Sequence, residues 1–446
     1  MSLFHLIALL QNYEPLRGVT ERLSRGERQT IVDLPEAARP AITAAVAAAH
    51  GRRTIVITSR RDRADAVAAA LADYLPASIA VERWTPPDAL PYEQLPHDTE
   101  ASIGRVQILD RLLSAPDDAA VLVTPVQALL QLLSPPEAFL AQIREVRTGR
   151  RLDIQHFLDW AASVGYQQHP MVQEPGTIAR RGGIVDIFPP GSEQPVRIDF
   201  FGDEVESIRH FDPHTQRSTE RLARIRLAPP VEVPVWRLPE ISEDLRRVPT
   251  SGLRSEVADE WHRLIEQARQ GIVPASVDLF SGYLVPGEST LIDYLPSSAL
   301  VVIDQPGSVR LALEQTGHQA AELERTFIES GELPAGLARP FASAGGAFRR
   351  LAAFATLAIG PAGERDDGAV ALDRISDPPL FGGRITDLVA DLRGRLEQGW
   401  RVAIATDQVD RITDILEEHD IFPRREKPPR SQRRSRRGRW RYDPRT

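Results

Sequence analysis

Apolar positions change their period along this chain, and the changes divide it. Residues 53–58 (RTIVIT) are an almost continuous apolar run of strand length, and after Ser59 the residues Ala, Leu and Val recur at helical spacing through Leu75. A strand followed by a helix capped by Ser59 is therefore predicted. A strand over residues 30–34, a helix from near Pro40, a helix over 101–113 and a strand over 120–125 continue the alternation, which predicts a parallel sheet. Asp153 is placed to cap a helix running to Ala162. The pattern then turns strand-rich, with runs at 184–188, 195–201 and 204–211 punctuated by Gly182-Gly183 and Gly202-Asp203. After Pro229-Pro230 and Pro234 come a largely helical stretch at 240–270, a strand at 300–303 and a helix at 308–330. A Gly/Ala/Pro-rich linker is expected at 331–346, followed by helix, strand and helix at 385–396, 401–406 and 409–419, the last capped by Asp407. No segment repeats.

The predicted class is α/β. Residues 1–145 and 229–335 form one parallel-sheet domain in two segments, 146–228 an inserted β-rich α+β domain, 347–422 a second small α/β domain, and 423–446 a basic disordered tail. A length of 446 residues suits three domains of about 150 residues each.

Within the inserted domain, alternation over residues 195–201 puts Ile198 and Phe200 on one side of a strand and Arg197, Asp199 and Phe201 on the other. A phenylalanine thus stands on the charged side. Val205 and Ile208 break strict alternation in the returning strand, which predicts a bulge. Arg181 lies beside Gly182-Gly183, and arginine with an aromatic on a solvent-facing surface has the composition of a protein-binding hot spot. Arg181, Arg197 and Phe201 are accordingly the candidate partner-binding residues. The alternative is structural: Arg197 pairs with Asp199 or Glu206 across the hairpin, and a neighbouring domain covers Phe201.

Composition removes several function classes. Without cysteine there are no disulfides and no thiolate metal sites, which suits a reducing cytoplasm. The apolar start at residues 3–10 lacks a basic flank and a cleavage site, and no apolar run approaches membrane-spanning length. No H-E-x-x-H, G-x-S-x-G, EF-hand loop or G-x-G-x-x-G after a strand occurs, and His419 is a helix-end residue rather than a metal ligand, so no catalytic, metal or cofactor residue is assigned. The acidic pairs Asp117-Asp118 and Asp366-Asp367 lie in loop-like sequence and are solvated. Lys427 is the sole lysine, which excludes a G-x-x-x-x-G-K-[ST] phosphate loop. The loop that would replace it, Asp33-Leu34-Pro35-Glu36-Ala37-Ala38-Arg39-Pro40, has no glycine, two prolines without N–H donors and two carboxylates that repel phosphate. From Arg424 to Thr446 there are eleven Arg or Lys and two Asp or Glu, so within a formal charge of −8 the remainder carries −17. That acidic body is a poor general DNA binder. The tail, with Trp440 and Tyr442 available to stack on bases, offers weak non-specific contact with nucleic acid. Its other reading is the product of an altered reading frame in an arginine-rich genome.

The residues Pro175-Gly176, Arg181-Gly182, Asp186, Phe188-Pro189, Pro195, Arg197, Phe200-Phe201, Asp203, Ser207, Arg209, Phe211-Asp212 and Gln216-Arg217-Ser218 together form a long motif. It resembles the second domain of the module shared by bacterial transcription-repair coupling factors and excinuclease B. Trp84 to Glu93 with Arg105 and the strand at 120–125, and less specifically residues 290–296 with the 300–303 strand, resemble the same module. Tyr92 reads as a buried loop tyrosine, and the spacing around it leaves no room for the long aromatic hairpin with which excinuclease B enters DNA. The resemblance covers residues 1 to about 422 and implies that the first domain is a degenerate P-loop helicase-like domain. It also implies that the second grips excinuclease A through the residues matching Arg181, Arg197 and Phe201. With its phosphate loop worn away, the chain is expected to match the coupling-factor branch: an adaptor that recruits excinuclease A to RNA polymerase stalled at damage. Polymerase and damaged DNA would be reached only through the full-length protein, whose polymerase-binding domain and ATP-driven motor are expected to be absent here, leaving a truncated chain that is not an enzyme. The alternative is a diverged DNA-binding ATPase resembling excinuclease B.

Overall fold

The computed structural model describes residues 3–424 except 88, 96–97, 361–368, 373, 378, 380, 405 and 407. The expected caps and contacts of Asp407, Asp366-Asp367, Trp440, Tyr442 and nearly all of the basic tail lie outside the described residues.

Before the insertion the chain lays down β1 (Arg28–Val32), β2 (Thr54–Thr58), β3 (Ala80–Arg83) and β4 (Ala120–Pro125). The insertion contributes β5 (Arg144–Arg147), β6 (Gln167–Gln168), β7 (Thr177–Arg181), β8 (Ile184–Ile187), β9 (Val196–Phe201), β10 (Glu204–Phe211), β11 (Ser218–Leu222) and β12 (Arg224–Leu227). After it come β13 (Leu300–Asp304), β14 (Ala355–Gly360) and β15 (Val370–Ala371). The large sheet has seven strands in the order β15-β1-β14-β13-β2-β4-β3, all parallel. Every residue of β2 and β4 is buried, as central parallel strands covered by helices on both faces must be. One face packs on Ile7, Val19, Ile42, Val46 and Leu71, the other on Leu109, Leu129, Tyr294 and Leu313.

Where the elements differ from expectation, the causes are local. β1 ends at Val32 because Asp33 turns to a left-handed φ of 57°. The helix Arg61–Tyr74 is entered through an extended Arg60, so Ser59 lies one residue too early to cap it. Asp153 does cap its helix, accepting from the His156 amide at 2.8 Å. The stretch 240–270 is two helices, Leu238–Arg246 and Ser255–Arg269, broken around Pro249 and Gly252. The expected linker at 331–346 is packed structure: Leu333, Leu337 and Ala342 are buried, and the Ala342 amide donates to the Leu130 carbonyl at 2.9 Å. The chain has not left the first domain at that point, because β14 runs between β1 and β13 in the large sheet. The placement of 347–422 as a separate unit is corrected accordingly for its first part. Residues 401–404 form no strand, and Ile404 packs instead on Val389, Leu392 and Leu416 of the helices Ile385–Glu397 and Val409–Glu418. No helix of the described residues is long and apolar enough to cross a membrane.

The insertion enters and leaves through one ribbon, in which β5 pairs antiparallel with β12 from Arg147 opposite Arg224 to Arg144 opposite Leu227. The departing chain, residues 227–235, is buried throughout, and it carries one charge, Glu232. That carboxylate accepts from the Arg105 Nε at 2.6 Å and the Gln131 amide at 2.9 Å, and it also pairs with the Ser102 hydroxyl. Arg105 spends a further N–H on the Thr85 carbonyl at 3.0 Å. Removing one partner of such a buried pair strands the other charge in low dielectric. Glu232→Ala is therefore expected to lower the unfolding free energy by about 3–5 kcal/mol in urea titration, whereas Glu240→Ala, an exposed carboxylate on the next helix, should change it by less than about 0.5 kcal/mol.

Candidate functional site: the outer face of the inserted sheet

Six strands in the order β11-β10-β9-β8-β7-β6 form the inserted sheet. Its inner face, with Ile178, Val185, Ile187, Val196, Ile198, Phe200 and Ile208, closes on Phe157 and Trp160 of the capped helix Ile154–Ser163. The parity that buries those residues turns Arg181, Ile184, Asp186, Arg197, Asp199, Phe201, Ser207 and Arg209 outward. Cross-strand register places Arg181 opposite Ile184, Ile184 opposite Asp199 and Asp186 opposite Arg197. The predicted bulge in β10 is present, between Val205 and Ser207.

Most of this face is internally matched. Arg197 donates both arms of its fork to Asp186, at 2.7 and 2.9 Å, a geometry that fixes a guanidinium in one orientation. Asp186 is 2 % exposed, and the Arg197 guanidinium lies 4.7 Å from the centre of the Phe211 ring. Burial would lower the affinity of Arg197 for its proton, but the hydrogen bond to Asp186 outweighs it, so its pKa is held above the usual guanidinium value. Asp199 is engaged by Arg209 and by the Ser207 hydroxyl at 2.5 Å. Desolvation of Asp199 is overcome by those two hydrogen bonds and the arginine charges, which hold its carboxyl below the usual range. The partner of Arg197 is thus Asp186 on the neighbouring strand, not Asp199 or Glu206.

Two of the three candidate residues stay free at one end of the sheet. Phe201 is 80 % exposed, the most exposed large apolar side chain among the described residues. Arg181 is exposed and makes one long bond, 3.3 Å, to the Pro170 carbonyl. Met171, next to Pro170 and not singled out from the sequence, is exposed as well. Backbone constraints hold this end in place. The Phe200 amide donates to the Gly183 carbonyl at 2.8 Å, and a Cβ on Gly183 would lie 3.0 Å from the Phe200 oxygen. Gly202 supplies the positive φ, 60°, that the two-residue hairpin turn after Phe201 needs. The turn is braced from below by the Leu152 amide on the Asp203 carbonyl at 2.7 Å. Arg197 is therefore separated in role from Arg181 and Phe201: it is part-buried and paired, while they project into solvent. Tyr92, by contrast, is buried as a loop tyrosine, edge-on to Phe341 with ring centres 5.8 Å apart. No cluster of His, Asp or Glu among the described residues is arranged to hold a metal ion.

Against known families, residues 145–232 match the UvrB interaction domain. The transcription-repair-coupling factor of Myxococcus xanthus is 30 % identical over 307 residues, covering 65 % of this chain and 25 % of that protein. That of Bacillus subtilis is 26 % identical over 309 residues, 66 % of this chain and 26 % of that protein. The chain carries a module of the coupling-factor and UvrB kind. It spans about a quarter of the length of those coupling factors. The UvrABC system protein B of Nitrosococcus oceani is 25 % identical over 472 residues, 93 % of this chain and 68 % of that protein. In this coupling-factor and UvrB-like module the matched domain contains the whole outer face, from the β5 entry to the buried Glu232.

Truncating a paired side chain and truncating a free one should differ in stability. Arg197→Ala, which leaves Asp186 buried and unpaired, is expected to cost about 3 kcal/mol in chemical denaturation. Phe201→Ala and Arg181→Ala should each stay within about 0.5 kcal/mol of wild type.

Proposed function

We propose that this chain is an adaptor of nucleotide excision repair that binds excinuclease A, UvrA, through the sheet end carrying Arg181 and Phe201, with Arg197 fixing the surface on which they stand. The observation that carries the reading is the exposed Phe201 beside Arg181 on a face where Arg197 is paired with Asp186 and Arg209 with Asp199, inside a match to the UvrB interaction domain. An aromatic ring on a braced sheet loses little conformational freedom on binding, and aromatic and arginine side chains are the residue types that dominate interface energies. The similarity to transcription-repair-coupling factors supports a finer role: delivering UvrA to RNA polymerase stalled at damage, with the motor and the DNA contacts supplied by a full-length protein.

A second reading, a diverged UvrB-like ATPase, is favoured by the 93 % of the chain that aligns with one UvrABC system protein B. The residues between β1 and the helix Arg39–His50 speak against it: Asp33 to Ala38 contain no glycine and no lysine, and Pro40 sits in the first turn of that helix. On this ground the module works without a nucleotide of its own. Titration calorimetry with ATP and magnesium should register no binding; a dissociation constant near 1 μM, about −8 kcal/mol, would favour the ATPase instead.

For the adaptor reading, Phe201→Ala or Arg181→Ala should weaken binding to purified UvrA about thirtyfold, about 2 kcal/mol, with melting temperature unchanged. Unchanged affinity in both folded variants would remove this face from consideration.

A further inference from the structure

In an open parallel α/β sheet, phosphates are received outside the carboxyl ends of the strands, at the N-terminus of the helix that follows a strand. Here that position lies between β1 and the helix Arg39–His50, and the carboxyl edge also presents Asp304 at the end of β13 and Gly360 at the end of β14, in register with Val32. Two arginines converge on it. Arg63, from the first turn of the helix after β2, donates to the Asp304 Oδ2 at 2.7 Å and to Glu36 at 2.6 Å. Arg39, the first residue of its helix, has its terminal nitrogen 3.6 Å from the Asp304 Oδ1. Asp304 is 6 % exposed. Its Oδ1, one terminal nitrogen of Arg39 and one of Arg63 are buried without a hydrogen-bond partner. Two guanidinium groups with N–H to spare, beside a helix N-terminus, are donors for a doubly charged, oxygen-rich anion. What faces them instead is a pair of carboxylates from the same chain.

We propose that this crevice is an anion site closed by the protein itself, with Asp304 and Glu36 standing on Arg39 and Arg63 in place of a phosphate-bearing ligand. The inference rests on the reading that the module works without a nucleotide, and gives it a cause. The two positive charges are neutralised inside the molecule, so an incoming phosphate meets two carboxylates it would have to displace. Because the cluster joins the loop after β1, the helix after β2 and the end of β13, the contact also ties three parts of the sheet's carboxyl edge together, as a bound ligand would. Desolvation of Arg63 is outweighed by its hydrogen bonds and charge interactions with Asp304 and Glu36, and its pKa rises above the usual guanidinium value.

The test is calorimetric titration of the whole chain with inorganic pyrophosphate. Wild type should give no resolvable binding. Glu36→Gln with Asp304→Asn, which keeps the shapes and removes both negative charges, should bind at least tenfold above the weakest affinity the titration resolves. Adding Arg39→Gln and Arg63→Gln should abolish the gain. Glu36 is exposed, so Glu36→Gln alone keeps its fold and should bring pyrophosphate binding into the range the titration resolves; if the Asp304 variant does not fold, this variant decides. Wild type binding pyrophosphate as tightly as the double variant, a folded double variant with no gain, or a gain that survives loss of both arginines would each overturn the proposal. Binding of ATP by wild type would instead contradict the nucleotide-free reading, whereas silence in every variant removes this inference alone.

Discussion

A carboxylate sealed from water has to be paired where it lies, and Glu232 is neutralised by Arg105 and accepts hydrogen bonds from Ser102 and Gln131. The rest of the architecture hangs on that contact. The inserted domain leaves the parallel sheet after β4 and its helix Pro136–Ala141, and returns through residues 228–235, a run of valines, prolines and one alanine around Glu232 that belongs to no strand. Valine and proline can be buried in many registers, but a single charge among them can be satisfied in one. The buried pair is thus better understood as a device that sets position than as a source of net stability, since the desolvation of two charges consumes much of their attraction. With the return fixed, the β5 and β12 ribbon is fixed too, and with it the base on which the inserted sheet stands.

The same physics recurs on the outer face. Arg197 and Asp186 are directly opposite across two strands, and the bidentate geometry makes the pair a rivet through the middle of the sheet. Arg181 and Phe201, at the end of the sheet, have no such commitments. A surface meant to bind a protein needs both kinds of residue: paired charges that keep the backbone still, and exposed groups whose burial releases free energy only when the partner arrives.

Much of this was legible in the sequence. Alternation assigned the two faces of β9, the broken alternation gave the bulge in β10, and the Gly202-Asp203 pair gave the turn. The type of Arg197 was readable but its employment was not, because the acceptor Asp186 lies on a neighbouring strand and pairing register is a tertiary property. The burial of Glu232 had only a faint signal, a lone carboxylate inside the run Ala228 to Val235. β14 was missed for a related reason. Ala355 to Gly360 has strand character, but the glycine- and proline-rich segment before it suggested a departure from the domain, whereas Leu333, Leu337 and Ala342 anchor that segment to the core. Composition spoke for a linker; a few apolar side chains decided otherwise.

The central claim, that the rigid end of the inserted sheet is where UvrA binds, is tested most directly by amide hydrogen exchange on the chain with and without UvrA. The account predicts that slowing of exchange on binding concentrates in residues 181–184 and 199–204, flanking Arg181 and Phe201, while the buried strands β2 and β4 are unchanged. Protection confined to other surfaces, with residues 181–184 and 199–204 exchanging as in the free chain, would contradict it.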